Sequence, residues 1–315
     1  MEETAAPRDV QAETIYLDDG AVRRDLLDAL EEAVQSSSRS FALSLVEPLH
    51  ESELGDVIED LKPQLRGELV ELLGDDFDFL ALTEVEEAVR RDLLEELPNE
   101  AVAEAMQDLE SDDAVYILED LDEEDREDVL QKLSFADQSK LRRVLEYPEE
   151  TAGRRMQTEC IAVPPFWTVG QTIDYMREAR HLPDKFSQIF VVDPSFKLGG
   201  AVDLDRILRA KRPTKVEEVM HETRHAIPAM EDQEEAALIF EQYDLLSAAV
   251  VDENEKLVGV LTIDDVVDVI QQEAEEDLKR LVGLGDEDLS DSVLRTARSR
   301  FVWLLINLAT SILAS

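Results

Sequence analysis

The chain has a single cysteine, Cys160, among its 315 residues. With no second thiol there is no disulfide framework and no cysteine-based metal cluster, which fits a reducing, cytosolic compartment. Basic residues are scarce too: 31 Lys and Arg stand against 75 Asp and Glu, a formal net charge of −44. A field of that sign repels nucleic acid and anionic lipid, so nucleic acid is excluded as a partner. The N-terminal stretch MEETAAPRDVQAETIYLDDG is acidic and lacks the apolar core of a secretory signal, and it reads as a mobile tail over 1–20. Long apolar runs are missing until Phe301, where FVWLLINLATSILAS begins. That segment is shorter than the roughly 20 residues a membrane-spanning helix needs. It reads as the first part of a span cut by the end of the chain, with a buried C-terminal helix as the other reading. Arg295, Arg298 and Arg300 precede it and Trp303 sits within it, so the positive-inside rule places the preceding body in the cytoplasm.

What is present in excess is carboxylate, spread from Glu2 to Asp291. One reading is a solvated, halophile-like surface. The other follows from the chemistry of the group, because carboxylates are the hard oxygen ligands that Mg²⁺ and Ca²⁺ prefer. A hydrophobic share of 44% excludes a wholly disordered chain, and the length allows two or three domains with their own cores.

From about Ala21 to Tyr147 the pattern is helical. Segments such as EVEEAVRRDLLEEL, NEAVAEAMQDL, SDDAVYILEDL and EEDREDVLQKL carry Leu, Val or Ala at three- and four-residue spacings. Ser111 and Ser134 stand where N-terminal caps belong. Short amphipathic helices in series bury their stripes by stacking. After Tyr147 strand-like runs appear, and the chain repeats itself. MQTECIAVP (156–164) matches MHETRHAIP (220–228) in layout, and VVDPSFKLGG (191–200) matches VVDENEKLVG (250–259). Each unit reads strand, helix, strand, turn, strand, helix. Two such units are expected to pack about a pseudo-two-fold axis with clefts between them.

On a helix beginning near Ile263, Asp265, Asp268, Gln272 and Glu276 share one face, while Val267, Ile270, Ala274, Leu278 and Leu281 form a stripe suited to packing. Stacked carboxylates repel unless they face bulk water or a cation bridges them. Hydrated Mg²⁺ needs only one or two carboxylates from each surface it joins.

The tandem units resemble a pair of CBS domains. The junction YPEETAGRRM (147–156), the run EAEED (273–277), the LVGL after it and WLLINLAT (303–310) are similar to the MgtE family of magnesium transporters, in one consistent order from Ala21 to Ser315. The resemblance implies an α+β protein: an N-terminal α-helical superhelix (21–147), a tandem CBS pair (148–213 and 214–270), a long connecting, plug-like helix (271–300) and the start of a transmembrane helix (301–315). It implies a homodimer at the cell membrane, with the N-terminal and CBS domains cytoplasmic. Family members continue through a bundle of membrane helices that forms the pore, so transport by these residues alone is not expected. The family's cytosolic Mg²⁺ ligands carry over onto Asp112, Asp232, Glu234, Asp244, Asp265, Asp268, Glu273, Glu276 and Asp277. Tyr116 stands where the family tends to carry a second Asp. Bridging by Mg²⁺ at high concentration would hold the domains together and the pore closed, and loss of the ion would let them swing apart.

Two further patterns compete for attention. GVLTIDD (259–265) fits the nucleotide-binding pattern of CBS domains, with Thr262 and Asp265 on a ribose. A regulatory module binding an adenine nucleotide such as ATP is therefore the alternative function. HETRH (221–225) matches the HExxH zinc-peptidase pattern, but that chemistry needs both histidines on one helix face. Pro228 follows at once and the repeat places these residues in a linker, so no enzyme is expected. His50 and His181 have no partners in sequence.

Overall fold

In the sequence from Arg24 to Leu145 every regular segment is a helix, because apolar residues recur there at helical spacing and polar breaks separate them. The computed structural model describes residues 15–282 apart from Asp18, Arg180, His181, Asp184 and Arg224, with backbone alone at 275–277 and 279–282. Of the tail expected over 1–20, residues up to 14 lie outside the described residues, as do the connecting helix beyond residue 282, the apolar segment from Phe301 and His181, whereas Ile15 is buried and Tyr16 donates to Asp56. Among the described residues no helix is long and apolar enough to cross a membrane.

The helices are α1 (Arg24–Gln35), α2 (Arg39–Val46), α3 (Glu51–Asp60), α4 (Pro63–Leu73), α5 (Glu87–Glu96), α6 (Asn99–Ala105), α7 (Ser111–Glu119), α8 (Glu123–Lys132) and α9 (Phe135–Leu145). Ser134 caps α9 by accepting from the Asp137 amide, as the sequence predicts. The chain divides into two compact units. One holds residues up to 109 together with 117–133, and the other holds 110–116 together with everything from 134. The first is helical, and its core is built on Leu30, Val57, Ile58, Leu69, Leu73, Leu82, Leu93, Ile117 and Leu118, each under 2% exposed. Arg90 and Asp120 form a buried ion pair within it, and Arg90 also donates to the carbonyls of Leu82 and Val85.

The second unit continues through α10 (Ala152–Arg155), β1 (Ala162–Val163), α11 (Val169–Glu178), β2 (Gln188–Val192), β3 (Leu198–Asp203), α12 (Leu204–Arg209), α13 (Val216–Val219), β4 (Ile227–Pro228), α14 (Gln233–Tyr243), β5 (Ser247–Val251), β6 (Leu257–Thr262) and α15 (Ile263–Val282). Its two sheets have the same topology. β1 runs parallel to β2 and β2 antiparallel to β3, and β4, β5 and β6 repeat that order. Both faces of β2 are buried. Ile189 and Val191 join Val163, Val202 and Ile207 in the core under the helices. Phe190 and Val192 point the other way, onto Ala249, Leu257 and Val260 of the second sheet, as the two-residue period of a strand requires.

The repeat seen in the sequence becomes an exchange. The segment leading into β1 pairs with β6 through Gln157 and Val260, while the segment leading into β4 pairs with β3 through His221 and Ala201. Each crossover presses backbone onto a glycine. A Cβ at Gly259 would stand 2.6 Å from the Gln157 carbonyl oxygen, and one at Gly200 would stand 2.6 Å from that of His221. Gly259→Ala is therefore expected to push the two units apart and cost about 1–3 kcal/mol, the usual cost of overpacking. Calorimetry should register it as a lower melting temperature, and an unchanged value would mean the crossover yields freely.

The junction that the sequence singled out binds the CBS pair to α9. The Ala152 and Gly153 amides donate to the carbonyls of Glu231 and Ala229. The Arg154 guanidinium, buried, donates to the carbonyls of Leu145 and Tyr147 at the end of α9, where a helix leaves acceptors unsatisfied. One expectation is corrected. On α15 the residues packed inward are Val266 and Val269, whereas Val267, Ile270 and Leu278 are 51, 50 and 61% exposed. The stripe assigned to packing faces away from this unit, because α14 and β6 approach α15 from the adjoining side of the helix.

Candidate metal centre

Five carboxylates meet where the first turn of α7 faces the first turns of α15. Asp112 and Asp113 come from α7, and Asp264, Asp265 and Asp268 from α15. The α15 acids are set by local sequence. Thr262 precedes the helix, and its amide and hydroxyl both donate to the Asp265 carboxylate, which fixes that side chain on the side of α7.

The electrostatics are those of like charges drawn out of water. Burial comes first for Asp112, Asp113, Asp265 and Asp268. It pushes Asp112 well above its ordinary value, with Asp265 and then Asp113 adding to the shift. Burial and then the Asp265 charge raise Asp113 to about 7. Asp265 is also raised to about 7 by burial, against the bonds from Thr262 and with help from Asp264 and Asp268. Burial and Asp264 raise Asp268, which Arg155 partly offsets. Groups held in this way are unstable as free anions and are relieved by a proton or a cation.

Among the described residues no three carboxylate, imidazole or thiol groups converge closely enough to clasp a bare ion. A divalent ion that keeps its waters and reaches the carboxylates through them needs no such convergence. The donor set, all oxygen and, among the described residues, without a cationic partner except at Asp268, fits Mg²⁺ in that form.

Arg155 organises the surroundings. Its Nε donates to Gln233 Oε1 at 3.0 Å, its Nη2 reaches Gln272 Oε1 at 3.4 Å, and its guanidinium lies over the Tyr116 ring, 5.6 Å from the centroid. Gln233 in turn donates to Glu273 at 2.9 Å.

The predicted ligands are thus divided. Asp112, Asp265 and Asp268 are brought together. Glu273 is engaged with Gln233. Asp232 caps α14 and accepts from the Glu234 amide at 2.9 Å, while Asp244 ends the same 11-residue helix in a left-handed conformation. Those two caps lie about 18 Å apart at a helical rise of about 1.5 Å per residue, so Asp232 and Glu234 do not form one site with Asp244. The side chains of Glu276 and Asp277 lie outside the described residues. Asp113, Asp264 and Arg155 were not singled out in the sequence. The Ser-Asp-Asp and Asp-Asp pairs were the signal for the first two, and nothing local marked Arg155.

The HETRH segment is not helical. His221 pairs with Ala201 and lies 3.4 Å from Asp203, while His225 stacks on Tyr243 at 3.7 Å, so the geometry of a zinc peptidase is absent. Beside it a cleft of about 530 Å³ is lined by Gln188, His221, Glu222, Thr223, His225, Leu245, Ser247 and Ala248.

A helical domain joined to two units of one strand-and-helix topology, with acids gathered between α7 and α15, defines the architecture of a helical domain followed by a CBS pair. Comparison with known proteins agrees with this class. Residues 49–150 match the family described as MgtE intracellular N domain, and residues 216–272 match the CBS domain. The chain is 34% identical over 173 residues to the magnesium transporter MgtE of Thermus thermophilus, covering 53% of this chain and 38% of that protein. It is 29% identical over 160 residues to the MgtE of Bacillus subtilis, covering 50% and 36%. Its fold matches the soluble part of a magnesium transporter with a TM-score of 0.70 at 25% identity, over 80% of this chain and 99% of that one. It also matches the cytosolic domain of the Mg²⁺ channel MgtE in complex with ATP, with a TM-score of 0.70 at 27% identity, over 77% and 99%. By family models, relatives and fold, the chain is similar to the cytosolic part of MgtE magnesium transporters. It spans 36 to 38% of the length of those curated relatives.

Proposed function

We propose that this chain is the Mg²⁺-sensing, gating part of a magnesium transporter or channel at the cell membrane, with its helical and CBS domains on the cytoplasmic side. The observation that carries the reading is the meeting of Asp112 and Asp113 with Asp264, Asp265 and Asp268. When Mg²⁺ is plentiful, hydrated ions neutralise these acids and α7 stays on α15. When Mg²⁺ falls, repulsion favours the separated state, and the connecting helix passes the change to a pore. The exposed Val267, Ile270 and Leu278 support a homodimer, since a contiguous apolar helix face is what a second copy would cover. Glu273, Glu276 and Asp277 on α15, with Asp232, Glu234 and Asp244, remain as proposed ligands of further ions.

The test is limited proteolysis of the 315-residue chain during a MgCl₂ titration, with NaCl of matched ionic strength as control. Protection at millimolar Mg²⁺, lost in the Asp265→Asn, Asp268→Asn double variant, is the expected result. Equal protection by NaCl would sink the reading.

A second reading has its own observation. The Thr223 hydroxyl is buried and has no hydrogen-bond partner among the described residues, and it lines the cleft of about 530 Å³. One structural relative is described in complex with ATP. Thr262 and Asp265, the nucleotide positions expected from sequence, are bonded to each other and face α7, so the open cleft is the better place for an adenine nucleotide. ATP should protect the wild-type chain from protease, and Thr223→Val should weaken that protection several-fold, on the order of one lost hydrogen bond. Protection unaffected by the substitution would remove the cleft from the account.

A further inference from the structure

The two CBS units place equivalent residues in different circumstances. Thr158 and Glu159 in the first unit correspond to Glu222 and Thr223 in the second, by the match of 156–164 with 220–228. In the second unit the cleft is open and the Thr223 hydroxyl is unanswered among the described residues. In the first, the residues at the same positions are bonded to the protein's own α7. Ser111, 2% exposed, donates from its hydroxyl to Glu159 Oε2 at 2.7 Å and accepts from the Thr158 amide at 2.7 Å and the Thr158 hydroxyl at 2.9 Å. Its amide also points at Glu159 Oε2, 3.3 Å away. Lys140 of α9 closes the network with an ion pair to the other oxygen of Glu159. Burial alone would push the Glu159 carboxyl up, but the bonds from Lys140 and Ser111 outweigh it and hold the group ionised. The residue that resembles an N-cap in sequence therefore serves α7 from outside: Ser111 is the first residue of the helix, and its hydroxyl is used in docking.

We infer that the first turn of α7 is an internal ligand of the first CBS unit, held by a metal-independent latch of Ser111, Thr158, Glu159 and Lys140 that sets the Mg²⁺ concentration at which the neighbouring acids respond. The latch carries no charge of the acid cluster and survives removal of the ion. It opposes the repulsion among Asp112, Asp113, Asp265 and Asp268 and keeps a docked population for Mg²⁺ to select. A ligand that binds only the docked state has its apparent affinity scaled by that population, so loosening the latch shifts the response without touching a carboxylate of the cluster. The regulatory half of the inference rests on the Mg²⁺ reading above, whereas the latch does not.

The experiment uses the 315-residue chain as wild type, Ser111→Ala, Glu159→Gln and Val144→Ala. The last removes buried α9 packing next to the latch without altering it. Hydrogen exchange over residues 111–116 in Mg²⁺-free buffer is expected to quicken by about tenfold in Ser111→Ala and Glu159→Gln, as loss of a buried charge-assisted bond implies. The Mg²⁺ midpoint for protection is expected to rise by about fivefold or more in both. Val144→Ala should lower the melting temperature and leave the midpoint in place. Midpoints and exchange in the latch variants that move no further than in Val144→Ala would overturn the inference. If the wild type ignores Mg²⁺, the sensing reading falls and the Mg²⁺-free exchange decides the latch alone.

Discussion

Asp265→Asn is expected to make the Mg²⁺-free chain more stable at neutral pH while removing most of its gain from Mg²⁺. The asparagine keeps a carbonyl oxygen for the Thr262 amide and hydroxyl, so the start of α15 is preserved. What disappears is a half-buried charge held up to about 7 from an ordinary 3.8, together with its repulsion of Asp112 and Asp113. One pKa unit corresponds to about 1.4 kcal/mol. Discounted for solvent access, the relief is about 2 kcal/mol, or about 5 °C in melting temperature for a chain of this size. In saturating Mg²⁺ the order should invert, with the wild type the more stable. Differential scanning calorimetry with and without MgCl₂ reads both. A variant that is less stable than wild type in Mg²⁺-free buffer would show that Asp265 is a structural acid and no part of a strained cluster.

The pH dependence follows from the same groups. Asp113 and Asp265 keep their protons up to about 7 in the folded chain and lose them near 3.8 when unfolded. Between those values the folded state binds more protons, so stability falls as pH rises through the window and levels off above it. Without Mg²⁺, the unfolding free energy from denaturant titrations should drop steadily from about pH 5 to about pH 7.5, by roughly 3 kcal/mol in total once the shifts are discounted for screening. With Mg²⁺ saturating, the ion takes the place of the protons, and the slope over this range should flatten or reverse because protons then compete with it. General repulsion from a net charge of −44 acts in the same direction but is screened by salt. Asp265→Asn separates the two effects: a slope that survives it in full belongs to the overall charge.

Much of this protein is legible in one dimension because the relevant forces are local or periodic. Helical spacing marks α1 to α9, and the two-fold repeat marks the CBS pair, since each unit must bury the same faces of the same strands. The doubled glycines at 200 and 259 follow from that repeat, each facing a crossing backbone. Asp265 and Asp268 were legible as one face of a helix. What could not be read was direction. The spacing of Val267, Ile270 and Leu278 is as regular as that of a buried stripe, yet Val266 and Val269 are the residues turned inward, because α14 and β6 decide which side of α15 is covered.

The sequence by itself determined the elements, their order, the duplicated unit and the surplus of carboxylate that makes a cation the natural partner. Tertiary structure alone decided which of the 75 acids matter to one another. It set Asp112 and Asp113 against Asp265, more than 150 residues apart in the chain, and sent Asp232, Glu234 and Asp244 to the ends of another helix. It also turned Ser111 from an apparent cap into a docking bond. The physical reason is that an electrostatic shift depends on burial and distance in space, and neither is a property of spacing along a chain.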